Sequence, residues 1–148
     1  MPRSSSLYDQ DFFAWANEQA ALLRSGRLDQ ADIDHIAEEI ESMGRTEKRE
    51  LVSRLAVLLM HLLKWRFQPM MRSTSWRLTI EVQRRELARH LEDNPSLKAK
   101  LAEAIEAAYG DAVLNAAREN GMDRARFPAV CPWPYDDISA PDFWPDGA

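Results

Sequence analysis

The chain has 148 residues and a formal net charge of −5 at pH 7, and hydrophobic residues make up 45% of it. This length predicts one domain with a core of its own, and the composition excludes a disordered or fibrous protein. A single cysteine excludes an internal disulfide and a cysteine-based zinc cluster. The longest purely apolar run, residues 55–60, is too short to span a membrane, and we expect no signal peptide. We therefore expect a soluble cytoplasmic protein.

Charge is distributed unevenly along the sequence. Residues 1–44 carry three basic and nine acidic side chains, which gives −6. Residues 45–90 carry eleven basic and four acidic (+7), and residues 91–148 carry five basic and eleven acidic (−6). A basic segment between acidic ones is either neutralised by them within the fold or attracts an external anion. Because acidic side chains are in excess, we favour internal neutralisation.

Apolar residues recur at helical spacing in the first third of the chain. Asp9 is a candidate N-cap for a first helix that ends at Gly26. Its predicted inward residues are Phe12, Trp15, Ala16, Gln19, Leu22 and Leu23. Asp29 or Asp32 is expected to cap a second helix that ends at Gly44. Its predicted inward stripe is Ile33, Ile36, Ala37, Ile40 and Met43.

A third helix is predicted from about Thr46 to Phe67, and it carries two adjacent apolar stripes. The first stripe comprises Leu51, Leu55, Leu58, Leu62 and Trp65. The second comprises Val52, Ala56, Leu59, Leu63 and Phe67. Two stripes indicate neighbours on most sides, so this helix is expected to be central. Pro69 should end it, because proline also restricts Gln68 before it.

Two further helices are predicted before residue 126. Ser73 or Ser75 is expected to cap the fourth, whose inward residues are Trp76, Ile80, Leu87 and Leu91. Pro95 suits the first turn of the fifth, which should end near Gly121. Its inward residues are Leu97, Leu101, Ile105, Ala108, Ala112 and Ala116.

The C-terminal part changes character, with prolines at 128, 132, 134 and 141 among five large aromatic residues. This predicts an extended, non-helical tail that lies back across the helices, since a solvated tail rarely carries so many aromatics. The fold prediction is therefore all-α, a compact single-domain bundle of about five helices. Residues 1–148 form the domain, with the bundle at 1–126 and the tail at 127–148.

Polar side chains interrupt the apolar stripes where helices two, three and four are expected to meet. Arg54, His61 and Lys64 share one narrow face of the third helix. Acidic side chains border the stripe of the second helix. Gln83 lies within the stripe of the fourth helix and Arg84 at its edge. Packing of the three helices is therefore predicted to bring carboxylates and basic groups together.

Three interpretations of this junction stay open. The first is a partly buried ion-pair network that sets helix register. The second is an anion-binding pocket with a tryptophan wall, built on Lys64, Arg66, Arg77 and Arg84 with Trp65 or Trp76. The third is catalysis or metal binding through His61 with Glu38 or Glu39.

Other chemistry has weaker support in the sequence. His35 and Glu39 are four apart, but the second histidine of the zinc-protease helix motif is missing. No nucleophile elbow or phosphate-binding glycine loop is present, and Cys131 is expected to be a buried, inert thiol. Trp65 and Trp76 alternate with basic residues as in nucleic-acid platforms, yet both fall on predicted core stripes. We expect no cofactor, no metal and no membrane contact, and do not favour nucleic-acid binding.

Several short motifs, spread over nearly the whole chain, are specific in combination. In chain order they are Leu7-Tyr8-x-x-Asp11-Phe12-x-x-Trp15, Ile36-Ala37-Glu38-Glu39-Ile40-Glu41, Ser53-Arg54-Leu55, His61-Leu62-Leu63-Lys64-Trp65, Gln68-Pro69, Ser75-Trp76, Thr79-Ile80, Gln83-Arg84, Asn94-Pro95-Ser96-Leu97, Tyr109 and Phe127-Pro128 with Cys131-Pro132. They resemble the bacterial domain of unknown function 29 family, which the chain departs from at Glu119-Asn120-Gly121. The resemblance implies a helical protein without an assigned activity.

Motif positions of that family coincide with the polar edges of the predicted helices. The resulting candidate cluster comprises Glu38, Glu39, Glu41, Arg54, His61, Lys64, Gln68, Trp76, Gln83 and Arg84. We expect a non-enzymatic bacterial interaction or accessory protein in which this cluster is structural, with a protein partner as yet undefined. The alternatives are an anionic-ligand or catalytic site at the cluster and nucleic-acid binding through residues 64–85.

Overall fold

A computed structural model describes residues 3–146 of the chain, with side chains from Leu7 onward. Helices account for nearly all the regular structure, and no strand occurs in the described range. The α-helices are α1 (Arg3–Gln10), α2 (Phe12–Arg24), α3 (Ile33–Phe67), α4 (Thr74–Asp93), α5 (Leu101–Asn120) and α6 (Tyr135–Ser139). The all-α prediction is confirmed. None of these helices has both the length and the apolarity needed to cross a membrane.

The chain divides into two compact units, an N-terminal unit that ends at Thr46 and a C-terminal unit that begins at Glu47. In the N-terminal unit the predicted cap Asp9 is wrong, because it lies in the last turn of α1. The cap of α2 is Asp11, whose Oδ1 accepts a hydrogen bond of 3.1 Å from the Ala14 amide. The predicted stop at Gly26 is confirmed, since its positive φ of 76° follows the end of α2.

The N-terminal unit has a small interior centred on Trp15 and Gln19. These are the two side chains that are buried among those described between Leu7 and Thr46. The Trp15 indole donates a hydrogen bond of 3.0 Å to Asp32 Oδ2, and Gln19 Oε1 accepts one of 2.7 Å from the Asp32 amide. Asp32 therefore ties α2 to the start of α3, which begins at Ile33.

The predicted end of a helix at Gly44 is wrong, because α3 runs without a break from Ile33 to Phe67. Glycine in a helix interior costs about 1 kcal/mol relative to alanine. Glutamates precede Gly44, and arginine, glutamate and lysine follow it, all of which favour the helix. From Leu51 onward the burial of apolar side chains adds to this stabilisation. One glycine is therefore too weak a signal to end this helix.

The inward stripe predicted for residues 33–43 is also wrong. Ile33, Ile40 and Met43 are 52%, 62% and 68% exposed. Phe12 and Leu23, predicted to face inward on α2, are exposed as well. Helical periodicity identified the apolar faces correctly, but the part of the chain that the structure describes does not cover these faces.

The C-terminal unit contains the main hydrophobic core, and α3 contributes most to it. The fully buried α3 residues are Leu51, Leu55, Leu58, Leu59, Leu62 and Leu63. They come from both predicted stripes, and Trp65 is buried beside them. Burying one such side chain stabilises the fold by about 1.5–3 kcal/mol. The prediction that this segment is a helix packed on most sides is confirmed.

Helices α4 and α5 pack around this part of α3, largely as predicted. Ser73 caps α4 by accepting a hydrogen bond of 3.2 Å from the Trp76 amide. The predicted start of a helix at Pro95 takes 3₁₀ form, and α5 follows from Leu101 to Asn120. A row of alanines faces the core at Ala104, Ala108, Ala112 and Ala116. Gly121, with a φ of 64°, ends α5 as predicted.

The segment after α5 lies against the core of the C-terminal unit, as predicted for the tail. We call residues 127–146 the C-terminal strap. Phe127 and Ile138 are buried, and the Tyr109 hydroxyl donates a hydrogen bond of 2.6 Å to the Pro128 carbonyl. The prediction of a wholly non-helical tail is wrong, because Tyr135–Ser139 forms the short helix α6. Asp136 and Asp137 lie in its first turn, where acidic side chains favour a helix.

Candidate functional site

Lys64, in the last turn of α3, is buried and forms a partly buried ion pair with Glu119 of α5. Its side chain is 1% exposed, and Nζ lies 2.7 Å from Glu119 Oε1, whose side chain is 51% exposed. Nζ also lies 4.6 Å from the centre of the Trp76 ring. The hydrogen bond from Lys64 lowers the pKa of Glu119. The ammonium group therefore has an anion and an aromatic face as partners within the C-terminal unit.

His61, one helical turn before Lys64, has its Nδ1 engaged by the backbone. Nδ1 lies 2.8 Å from the Val57 carbonyl oxygen, which accepts hydrogen bonds and cannot donate one, so Nδ1 carries the proton. Burial lowers the pKa of His61, and the charge of Lys64 lowers it further. The geometry therefore favours a neutral imidazole.

A neutral, half-buried His61 predicts a dependence of stability on pH. The unfolded chain binds a proton near the ordinary histidine pKa of about 6.5, whereas the folded chain resists protonation. Stability should therefore fall as pH decreases through 6.5 toward the lower folded pKa. In His61→Gln this loss should be smaller. Urea denaturation between about pH 7.5 and 5.5 measures the difference, and an equal loss in both proteins would contradict the prediction.

Arg84, on α4, holds the C-terminal strap through backbone carbonyl groups. The residue is 5% exposed. Nε donates to the Ile138 carbonyl at 2.9 Å and Nη2 to the Phe143 carbonyl at 2.6 Å, and Nη1 lies 3.5 Å from the Pro141 carbonyl. Burial lowers the pKa of Arg84, while Asp142 and Glu81 act in the opposite direction. All three nitrogens of this guanidinium therefore point at the strap.

Two tryptophans and three arginines, one of which is Arg84, form a cluster of cation–π contacts. The rings of Trp65 and Trp144 lie 4.8 Å apart. Arg72 Cζ is 4.9 Å from the Trp65 ring centre, and Arg84 Cζ is 5.3 Å from that of Trp144. Arg77 Cζ reaches both rings, at 5.9 and 5.6 Å. Cation–π contacts of this kind stabilise by about 0.5–2 kcal/mol each.

Gln68, Gln83 and Arg54 are further members of the predicted cluster that lie in the C-terminal unit. Gln68 Nε2 contacts the Met122 sulfur atom. The Oε1 atoms of Gln68 and Gln83 are buried without a hydrogen-bond partner in the described part of the chain. Arg54 Nε lies 3.4 Å from Glu50 Oε2, and its Nη2 lies 3.9 Å from a Glu86 oxygen. Of these contacts, the one between Arg54 and Glu86 joins α3 to α4.

His90 is a buried polar residue that lies outside the predicted cluster. Its Nε2 donates to the Glu47 carbonyl at 2.8 Å, and its Nδ1 lies 3.2 Å from Glu50 Oε2. It thereby extends the network that contains Arg54. Its position three residues after the core residue Leu87 is the signal that places it on the inward face.

Glu38, Glu39 and Glu41 belong to the N-terminal unit. Glu38 and Glu41 are exposed, and Glu39 accepts a hydrogen bond from the Tyr8 hydroxyl. This bond is the largest cause of the rise in the pKa of Tyr8 to about 12. The acidic partner of Lys64 is Glu119, a residue that the predicted cluster did not include. The acidic block at residues 91–148 was the signal that pointed to it.

A second polar arrangement in the N-terminal unit centres on His35. Nδ1 of His35 lies 2.7 Å from Asp32 Oδ2, and the ring stacks on Tyr8 with 3.9 Å between the centres. Burial raises the pKa of Asp32, but hydrogen bonds from His35 and Trp15 lower it more, and it lies below its ordinary value. The carboxylate orients the imidazole and links α2 to α3.

A surface groove runs between α4 and the C-terminal strap, with a volume of about 670 Å³. Leu78, Val82 and Pro141 supply apolar surface, and Glu81 and Arg85 supply charge. Arg84 also lines it, although its nitrogens point at the strap carbonyls. Within residues 3–146, no three His, Cys, Asp or Glu side chains converge as possible metal ligands.

Comparison of the sequence with models of known protein families identifies the family of this chain. A family model described as "Domain of unknown function DUF29" matches residues 7–144, nearly the whole chain. The chain belongs to the DUF29 family. The resemblance drawn from the sequence motifs is thereby confirmed. Neither the curated proteins nor the solved structures contain a significant match to the chain.

The structure assigns contacts to the motif residues of this DUF29 protein. Lys64 of the His-Leu-Leu-Lys-Trp motif is paired with Glu119, and Arg84 of the Gln-Arg motif holds the strap. In the Glu-Glu-Ile-Glu motif, Glu39 bonds Tyr8 and Ile40 is exposed. Lys64 and Arg84 therefore have contacts that maintain the fold, whereas the Glu-Glu-Ile-Glu motif presents the apolar side chain of Ile40 to solvent.

Proposed function

We propose that this DUF29 protein is a non-enzymatic interaction or accessory protein of the bacterial cytoplasm, in which the polar cluster is structural. The observation that carries the proposal is that the two buried cations of the cluster, Lys64 and Arg84, already have partners within the fold. Lys64 and Arg84 are 1% and 5% exposed. Each directs its nitrogen atoms at groups of the C-terminal unit, a carboxylate for Lys64 and backbone carbonyls for Arg84. A ligand would have to break these bonds to reach either cation.

The surroundings of His61 support the same proposal. A catalytic histidine needs an accessible nitrogen and a pKa near the working pH. Burial lowers the pKa of His61, and its Nδ1 is held by the Val57 carbonyl. Glu119, the acidic group that acts on it electrostatically, is bonded to Lys64. These features favour a structural role.

Binding of an anionic small molecule is the second candidate, and the groove between α4 and the C-terminal strap is the observation that favours it. The groove combines apolar walls with the exposed Arg85, as ligand sites commonly do. Nucleic-acid binding has less support. Of the six basic residues in segment 64–85, Arg77 and Arg85 are exposed, whereas the others are buried or half-buried.

Thermal unfolding with small anions distinguishes the two candidates. A ligand at about 100 times its dissociation constant stabilises the native state by about 2.7 kcal/mol. We expect inorganic phosphate and citrate, each at about 10 mM, to leave the melting temperature of the full chain unchanged. A rise that disappears in Arg85→Ala would overturn the proposal and support the groove as a binding site. Arg118→Ala, an exposed arginine on α5, is the matched control.

A further inference from the structure

A row of apolar side chains lies uncovered on the first three turns of α3. Ile33, Ile36, Ile40 and Met43 follow one another at spacings of three, four and three. This is the spacing by which one helix packs against another through knobs and holes. Three of the four are exposed and Ile36 is half-buried. We call these four residues the α3 stripe.

The N-terminal unit has little other apolar interior. Among its described side chains, Trp15 and Gln19 are buried. Units of this size usually gain stability from metals, disulfides or association. The chain has one cysteine, at position 131, so a disulfide within this unit is excluded. Within the described residues no three His, Cys, Asp or Glu side chains converge as metal ligands. Association with another helix would bury the α3 stripe and enlarge the apolar interior of this unit.

Small residues beside the stripe leave room for a second helix. Ala37 and Gly44 are seven residues apart, both exposed, and share the side of α3 next to Ile33 and Ile40. A Cβ atom built on Gly44 would meet no other atom within 4 Å. The distance between packed helices depends on the side chains at the contact, so an incoming helix can approach closely at this side.

Acidic residues lie on the side of α3 beyond Ala37 and Gly44. Asp34 and Glu41 are also seven apart and exposed. Neither makes an ion pair or hydrogen bond with the side chains described between Leu7 and Asp146. Residues 1–44 carry a charge of −6 from three basic and nine acidic side chains. Lysine or arginine beside the apolar row of another helix would complement this flank.

We infer that the α3 stripe docks an amphipathic helix of another protein, whose apolar row is bordered by lysine or arginine. The inference rests on the proposed function as an interaction protein and names the surface and the class of partner. A second copy of this chain fits less well. Antiparallel pairing of two stripes sets Ile33 against Met43 and brings the acidic flanks of both copies together, which is repulsive.

The test uses the full chain and a designed probe peptide of about three heptads. The probe has isoleucine and leucine at the a and d positions and lysine at e and g, and its matched control has glutamate at e and g. We expect the lysine peptide to bind, as measured by fluorescence anisotropy, and the glutamate peptide not to bind. Ile40→Ser with Met43→Ser should weaken binding by roughly tenfold or more. Asp34→Lys with Glu41→Lys should reverse the preference between the peptides.

Each other outcome overturns the inference. Binding that survives both double substitutions would show general charge attraction, and absence of lysine-peptide binding would show that the stripe does not accept such a helix. A concentration-dependent dimer in sedimentation, lost in Ile40→Ser, would assign the stripe to a second copy. A large loss of thermal stability in Ile40→Ser would show that the stripe is covered within the chain. The proposed function is tested by a separate experiment. It would be wrong if phosphate or citrate raised the melting temperature of the chain and Arg85→Ala abolished that rise.

Discussion

Replacing Arg84 with alanine is expected to lower the free energy of unfolding by about 3–5 kcal/mol. The substitution removes a guanidinium that donates hydrogen bonds to the carbonyls of Ile138 and Phe143. Each buried acceptor left without a donor costs about 1–3 kcal/mol. The contact with the Trp144 ring is lost as well. Urea denaturation of wild type and variant measures the difference.

Two further variants test whether the loss of stability in Arg84→Ala comes from its hydrogen bonds to the C-terminal strap. Arg84→Lys keeps the charge but lacks the fork of nitrogens, so it should recover only part of the loss. Arg85→Ala removes the exposed neighbouring arginine and should change stability by no more than about 0.5 kcal/mol. Hydrogen exchange in Arg84→Ala should rise first at residues 138–144. Equal stability of Arg84→Ala and wild type would show that the strap is held by its apolar contacts alone.

The sequence was most informative where one helix is buried on most sides. Two apolar stripes on residues 51–67 predicted a central helix, because nearly every position of a buried helix must be apolar. Proline and serine at its end supplied clear stop and start signals, which the structure confirms at Gln68 and Ser73. These signals are local, so a single sequence is enough to find them.

Features that depend on distant contacts could not be predicted in this way. Lys64 and Glu119 are 55 residues apart, and no spacing rule links them. The groups that accept hydrogen bonds from Arg84 are backbone carbonyls, which every residue possesses and which therefore leave no trace in the sequence. Polarity and helix face selected Lys64 and Arg84 as candidates, but they did not select Glu119 and did not identify the partner of either cation.

The exposed α3 stripe shows a second limit. Periodicity says which face of a helix is apolar, but not what covers that face. Residues 33–43 and residues 51–67 have similar patterns, yet Ile40 is exposed and Leu58 is fully buried. Gly44, the predicted boundary between two helices, lies within one helix. A buried face and a docking face are therefore indistinguishable from the sequence pattern alone.

The two partners of the Lys64–Glu119 pair are expected to respond very differently to substitution. Glu119→Gln leaves the ammonium of Lys64 buried with a neutral amide and the Trp76 ring, and should lower the free energy of unfolding by about 1–3 kcal/mol. Lys64→Met removes the buried charge and nearly preserves volume. It should therefore be neutral or stabilising by about 1 kcal/mol. In the double variant the loss caused by Glu119→Gln should disappear. Chemical denaturation of the four proteins measures these differences.

The same pair predicts a dependence on pH with a definite sign. The hydrogen bond from Lys64 lowers the folded pKa of Glu119, so its contribution is complete above the ordinary glutamate pKa of about 4.3. That contribution is lost as pH falls through the lower folded pKa, and the difference between wild type and Glu119→Gln should shrink there. If Lys64→Met instead costs as much as Glu119→Gln at neutral pH, the ammonium would be required beyond this ion pair. The contact of Nζ with the Trp76 ring would then carry part of the stability, and the neutral outcome expected for Lys64→Met would be wrong.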